Sequence, residues 1–161
     1  MTTSGRDRAA GFGMIELLVG MVIVTVLAVS SVSGWARYQR VVEHRGTAQE
    51  LVSTLRNAQQ RSLAEAAAYC VVISTSNRSY EVRKGSCVSG TVAKPATRTQ
   101  STRVSLASPA FLQPDGTTTS NISFFARGSA TRGDVQVLRQ GSTRTYTISV
   151  EGLTGRVSLL G

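Results

Sequence analysis

From Phe12 to Ala36 nearly every position is apolar or small, whereas from Arg37 onward the chain is rich in serine, threonine and arginine with short apolar runs. The first stretch, FGMIELLVGMVIVTVLAVSSVSGWA, is long enough to cross a bilayer, which takes about 20 residues at ~1.5 Å of helical rise each. Beyond Ala36 the apolar positions thin to a helical period: Tyr38, Val41, Val42, Ala48, Leu51, Val52, Leu55, Ala58, Leu63, Ala66 and Ala67 recur at spacings of three and four. Arg37, Arg40, Glu43, Arg45, Glu50, Arg56, Arg61 and Glu65 take mostly the remaining faces, and no proline interrupts. One helix from about Phe12 to Ala67 is expected, roughly 80 Å long. Its first half suits an apolar environment, and its second half suits packing on a folded domain. Gly20, Gly34 and Gly46 are weak points along it, each by up to ~1 kcal/mol relative to alanine.

From Tyr69 the period changes to two. Strands are predicted at Cys70–Ser74, Ser79–Arg83, Arg103–Ala107, Asn121–Ala126, Asp134–Arg139, Arg144–Glu151 and Gly155–Leu160. Turn residues separate them at Ser76-Asn77, Pro114-Asp115-Gly116, Arg132-Gly133, Gln140-Gly141-Ser142 and Glu151-Gly152. The segment Ser86–Gln100, poor in apolar residues and containing Lys94-Pro95, is expected to be an irregular exposed loop. The fold class is therefore α+β: a long N-terminal transmembrane and amphipathic helix packed on an antiparallel β-sheet domain. The boundaries are a leader over 1–11, a transmembrane half of the helix over 12–36, an amphipathic half over 37–68 and a β domain over 69–161.

Composition narrows the chemistry. Eighteen basic residues against nine acidic ones give a formal charge of +9, and only Lys84 and Lys94 of the basic set are lysines. Such an excess favours anionic partners, namely nucleic acid, acidic lipid headgroups or an acidic protein surface; a solvated arginine-rich surface is the plain alternative. Cys70 and Cys87 lie in the part expected outside the cytoplasm, where a cysteine pair is usually a disulfide. With no other cysteine, and with His44 the one histidine, a Cys/His metal site lacks ligands. No nucleophile elbow, phosphate loop or pair of carboxylates at useful spacing occurs, and His44 is expected to be a solvated helix residue. The sequence thus describes a structural or interaction protein with no catalytic residue and no cofactor.

Residues 1–11, MTTSGRDRAAG, are short, polar and basic through Arg6 and Arg8, a pattern retained on the cytoplasmic side of a membrane. Glu16 then falls four residues after Phe12, inside the apolar run. A carboxylate there costs a few kcal/mol on insertion scales and by default marks function. Equally, it is an anion placed where a helix N-terminus favours one.

The run Gly11-Phe12-Gly13-Met14-Ile15-Glu16-Leu17-Leu18-Val19 resembles the type III signal of type IV prepilins and type II secretion pseudopilins. The resemblance implies cleavage between Gly11 and Phe12 by a prepilin peptidase and methylation of the new amine of Phe12. It also implies assembly into a pilus or pseudopilus through the apolar helix, with Glu16 paired to a neighbouring subunit's amine so that each charge is neutralised in low dielectric. Before assembly the chain is expected in the bacterial inner membrane with its C-terminal domain outside the cytoplasm. A conventional secretory peptide cut near Ala28-Val29-Ser30 is the rival reading, and it gives Glu16 no reason to be there.

The C-terminal third, with Ile122-Ser123-Phe124-Phe125, Gly128, Gly133, the strands from Asp134 to Val150 and Gly155-Arg156-Val157, is similar to the GspH/FimT group of minor pilins and pseudopilins. Some members bind DNA through a basic C-terminal patch with a Gly-Arg-x-Arg motif, and here Ser158 replaces the second arginine. The resemblance implies a minor subunit at a filament tip, alternatively a DNA-binding minor pilin for natural transformation. Arg132, Arg139, Arg144 and Arg156 are the candidate phosphate contacts; against this, they are also what outward positions of strands look like.

Overall fold

The computed structural model describes residues 13–99 and 102–161. Helix α1 spans Met14–Ala64, and nine strands follow: β1 Tyr69–Ser74, β2 Ser79–Lys84, β3 Thr91–Arg98, β4 Val104–Leu112, β5 Thr118–Thr119, β6 Asn121–Phe124, β7 Arg132–Arg139, β8 Tyr146–Val150 and β9 Val157–Leu160. By contact the chain divides into two compact units, Met1–Arg40 and Val41–Gly161. The α+β class expected from the sequence is the class observed.

In the first unit, α1 is continuous past Gly20 and its apolar side chains from Met14 to Val29 are exposed. Thr25 Oγ1 donates to the carbonyls of Met21 and Val22, and Ser30 Oγ to that of Val26, so these hydroxyls are satisfied within the helix itself. The sequence reading expected a transmembrane half here. Among the described residues, no helix is long and apolar enough to cross a membrane.

In the second unit, two antiparallel sheets share a core with the later turns of α1. The four-stranded sheet runs β3-β2-β1-β6 and the five-stranded sheet β5-β4-β7-β8-β9. The buried helix stripe is His44, Thr47, Ala48, Leu51, Val52, Thr54, Leu55, Ala58 and Ser62, a three-and-four spacing that keeps one face inward. It meets Tyr69, Val71, Tyr80, Ile122 and Phe124 of one sheet and Val104, Phe111, Val135, Val137, Ile148 and Val150 of the other. Each fully buried Leu, Ile, Val or Phe contributes about 1.5–3 kcal/mol relative to exposure. Strict alternation sets the register: buried Val135 lies opposite Ile148 and buried Val137 opposite Tyr146.

Several expectations need correction. Tyr38, Val41, Val42 and Leu63 are exposed, so the apolar stripe begins at His44 and ends before Leu63. His44 is buried: its ring packs edge-on against Tyr146 at 4.7 Å, and Nε2 donates to the Val137 carbonyl at 3.0 Å. The imidazole spans from helix to sheet because Val137 sits where the β7–β8 pairing ends.

The helix stops at Ala64, short of Ala67. Ala66 adopts φ 47°, the Ala66 N–H donates to the Leu63 carbonyl and the Ala67 N–H to the Ser62 carbonyl. That is a Schellman ending, with alanine where glycine is usual.

Nor is Ser86–Gln100 a loop throughout. Thr91–Arg98 forms edge strand β3, and its side chains are nearly all exposed. Between Tyr80↔Thr97 and Val82↔Lys94 the strand carries one extra residue, a bulge that accommodates Pro95. A second bulge in β4, between Ala107 and Ala110, accommodates Pro109 beside Ser108 at φ 47°.

Cys70 and Cys87 are disulfide-bonded, fastening the turn after β2 to β1. Arg83 holds the same turn, with Nη1 donating to the carbonyls of Cys87 and Val88 at 3.0 and 2.9 Å while Nε pairs with Glu81 at 2.6 Å. At the far end of the helix Lys84 pairs with Glu65. Beside the helix, burial pushes the Tyr80 phenol up, and the neighbouring Glu50 carboxylate adds to the shift.

Candidate assembly segment and arginine surface

Gly11 and Phe12, the expected processing residues, lie outside the described residues. Glu16 stands in the first turn of α1, where its own N–H donates to the Gly13 carbonyl at 2.9 Å. A carboxylate at this position is favoured by the unpaired N–H groups of a helix start. Its surroundings are the exposed side chains of Met14, Ile15, Leu17, Leu18 and Val19, with Met14 86% exposed. An exposed apolar stretch of this length marks a contact surface. The segment therefore offers one anion at the head of a long apolar surface.

The four candidate arginines do not form one patch. Arg132 begins β7 and Arg139 ends it, so ~23 Å of strand separates them. Arg156 immediately precedes β9, whose Val157 pairs with Val150, and Val150 in turn lies opposite Gly133. Arg132 and Arg156 thus meet at one end of the five-stranded sheet, lining a concavity of about 580 Å³ with Ser149, Ser158 and Glu151. Arg144 precedes β8 across the turn from Arg139, at the opposite end, where it shares a smaller concavity with Arg45 and Tyr146. Arg139 follows the inward parity of Val135 and Val137 and is half-buried.

The loop carrying Arg156 is fixed by the helix. Gln59 Nε2 donates to the Thr154 carbonyl at 3.0 Å and Arg56 Nη2 to the Val157 carbonyl at 3.1 Å. Gly155 turns with φ 64°, and a Cβ there would stand 2.7 Å from the Gly128 carbonyl oxygen and 2.8 Å from Gln59 Nε2. Only glycine combines that left-handed turn with that approach. Sequence reasoning missed the helix-to-loop bonds of Arg56 and Gln59. They join residues about a hundred positions apart, and no short-range pattern signals them.

Comparison with known proteins agrees at both ends of the chain. Residues 6–32 match the prokaryotic N-terminal methylation motif. The structure is similar to the type IV minor pilin FimU of Pseudomonas aeruginosa, with a TM-score of 0.57 and 16% identity over 77% of this chain and 92% of that one. It is likewise similar to the minor pseudopilin EpsH of the type 2 secretion system of Vibrio cholerae, with a TM-score of 0.56 and 13% identity over 74% of this chain and 96% of that one. No curated protein sequence matches it. A methylation motif heading a long helix, followed by this two-sheet domain, is the arrangement of a pilin-like fold. More specifically, the chain carries a prepilin-type N-terminal motif and the fold of minor pilins and pseudopilins.

Proposed function

We propose that the chain is a minor pilin or pseudopilin subunit, a structural component of a type IV pilus or type II secretion pseudopilus and not an enzyme. It is made as a precursor held in the bacterial inner membrane by the apolar half of α1. A prepilin peptidase removes residues 1–11 and methylates the amine of Phe12. In the filament, Glu16 pairs with the Phe12 amine of an adjacent subunit, and the exposed apolar surface from Met14 to Val29 packs against neighbouring helices. The likeness to two proteins described as minor subunits supports a low-copy place, at the tip, where assembly starts.

The observation that carries this reading is the methylation motif over residues 6–32, set at the head of a helix whose apolar side chains from Met14 to Val29 are exposed. Mass spectrometry of the protein from cells with a working processing peptidase tests it. A mature chain beginning at methylated Phe12 is expected. A chain that keeps residues 1–11, or one that starts near Ser31, overturns it.

A second reading, DNA binding during uptake, draws on one observation: Arg132 and Arg156 face a common concavity with two serine hydroxyls, a geometry suited to phosphate. Salt-sensitive retardation of duplex DNA that is lost in an Arg132→Glu, Arg156→Glu variant supports it; no retardation at low ionic strength sinks it.

A further inference from the structure

We infer that the end of the β domain at which α1 enters is a contact surface for anionic phospholipid headgroups, engaged while the subunit waits in the membrane; this rests on the membrane-anchored reading above. Three segments distant in sequence are tied together at that end. The Thr99 N–H donates to the Arg78 carbonyl at 2.9 Å, and Arg78 Nη1 donates to the Thr102 carbonyl. The Gln140 N–H donates to the Arg103 carbonyl at 2.8 Å. The β1–β2 turn, Thr99, Thr102 and Arg103 between β3 and β4, and the β7–β8 turn thus form one surface.

The same end receives the first inward residue of the helix. His44 bonds Val137, and Arg45 shares a concavity with Arg144. The later helix residues Arg56 and Gln59 bond Val157 and Thr154 at the other end of the five-stranded sheet. Within this unit the helix therefore runs from the first end to the second, and the apolar segment of the same chain joins at the first.

Charge is divided unequally between the two ends. The first gathers Arg45, Arg78, Arg98, Arg103, Arg139 and Arg144; of these Arg45, Arg98, Arg103 and Arg144 are exposed and the other two half-buried. None of the three segments contains an acidic residue; the neighbouring carboxylates on the helix are Glu43 and, beside Tyr80, Glu50. The second end mixes Arg56, Arg61, Lys84, Arg127, Arg132 and Arg156 with Glu65, Asp115, Asp134 and Glu151.

Basic residues are drawn to an anionic bilayer surface within a Debye length of it. The positive-inside rule does not oppose this, because it governs short loops and large domains translocate largely regardless of charge. Nucleic acid shares the phosphate chemistry, but it has no reason to select the end where the apolar segment joins.

Hydrogen–deuterium exchange of the full-length chain, reconstituted in vesicles of phosphatidylcholine alone or with about a third phosphatidylglycerol, tests the inference, with flotation read on the same samples. Several-fold slower exchange at 75–78, 98–103 and 139–146 is expected only with phosphatidylglycerol, and it should be abolished by high salt and by Arg45→Gln, Arg98→Gln, Arg144→Gln. Unchanged melting of that variant in neutral vesicles establishes that it folds. Flotation with equal exchange in both vesicles overturns the headgroup contact alone; failure to float overturns the membrane reading and this inference with it. Slowing by added duplex DNA on neutral vesicles, without slowing by phosphatidylglycerol, assigns the surface to nucleic acid and overturns the lipid.

Discussion

Two backbone positions with positive φ carry opposite lessons. Gly155 has both the left-handed turn and the close approach to Gly128 and Gln59, so Gly155→Ala is expected to cost about 1–3 kcal/mol in a urea titration. Ala66 adopts φ 47° to close the helix with a methyl group that disfavours it. Here the reverse change, Ala66→Gly, should stabilise by about 1 kcal/mol in the same titration, because the left-handed position no longer strains a side chain. The second case explains why the sequence extends the helix to Ala67: no glycine marks its end, and alanine reads as a helix former. His44 was illegible for a different reason. Its position on the helix period was visible, but its burial depends on Tyr146 and Val137 nearly a hundred residues away.

Among the elements, the strands that bury one face were readable, whereas the exposed β3 and the two-residue β5 were missed. β7 and β8 alternate cleanly because every second residue enters the core. β3 exposes nearly all its side chains, so nothing in its composition alternates, and Pro95 argues further against a strand. Its Lys94 and Pro95 guard the open edge of the four-stranded sheet against pairing with another copy. Replacing both with threonine and valine is expected to raise concentration-dependent association, measured by light scattering; an unchanged monomer would contradict the guarding role. The β2–β3 turn is tied to β1 by a disulfide across 17 positions. Cys70→Ser with Cys87→Ser should lose about 3 kcal/mol by the chain-entropy argument, read as a lower melting temperature matched by the reduced wild type.

The arginine site shows the same limit at the level of registers. The resemblance to a basic C-terminal patch singled out Arg132, Arg139, Arg144 and Arg156, but strand length and pairing decide which of them are neighbours, and they fall into two pairs at opposite ends of one sheet.

For the molecule as a whole, the proposed assembly makes Glu16 dispensable to the folded domain and essential to the filament. Glu16→Ala should leave the melting temperature of the domain unchanged, since its surroundings are the exposed apolar residues of the first helix turns. Incorporation into sheared filaments or pseudopili should fall to background, because loss of one member of a buried ion pair strands the other at a cost of about 3–5 kcal/mol. Normal incorporation of this variant would refute the pairing. The motif, the apolar helix and the antiparallel β character of the domain were each legible from local patterns, since each rests on spacing over a few residues; the division into two sheets was not. The gathering of six arginines at the helix-entry end was not, because it is made by three turns that meet only in three dimensions.

The bonds between α1 and the five-stranded sheet also have a mechanical meaning. A pull on the chain at Val41 reaches His44 first, then Arg56 and Gln59, so tension is handed in stages to strands β7 and β9 and to the loop before β9. Such an arrangement lets a subunit be dragged by its tail without peeling its final strand away, and single-molecule stretching should find that severing the Arg56 and Gln59 anchors lowers the rupture force.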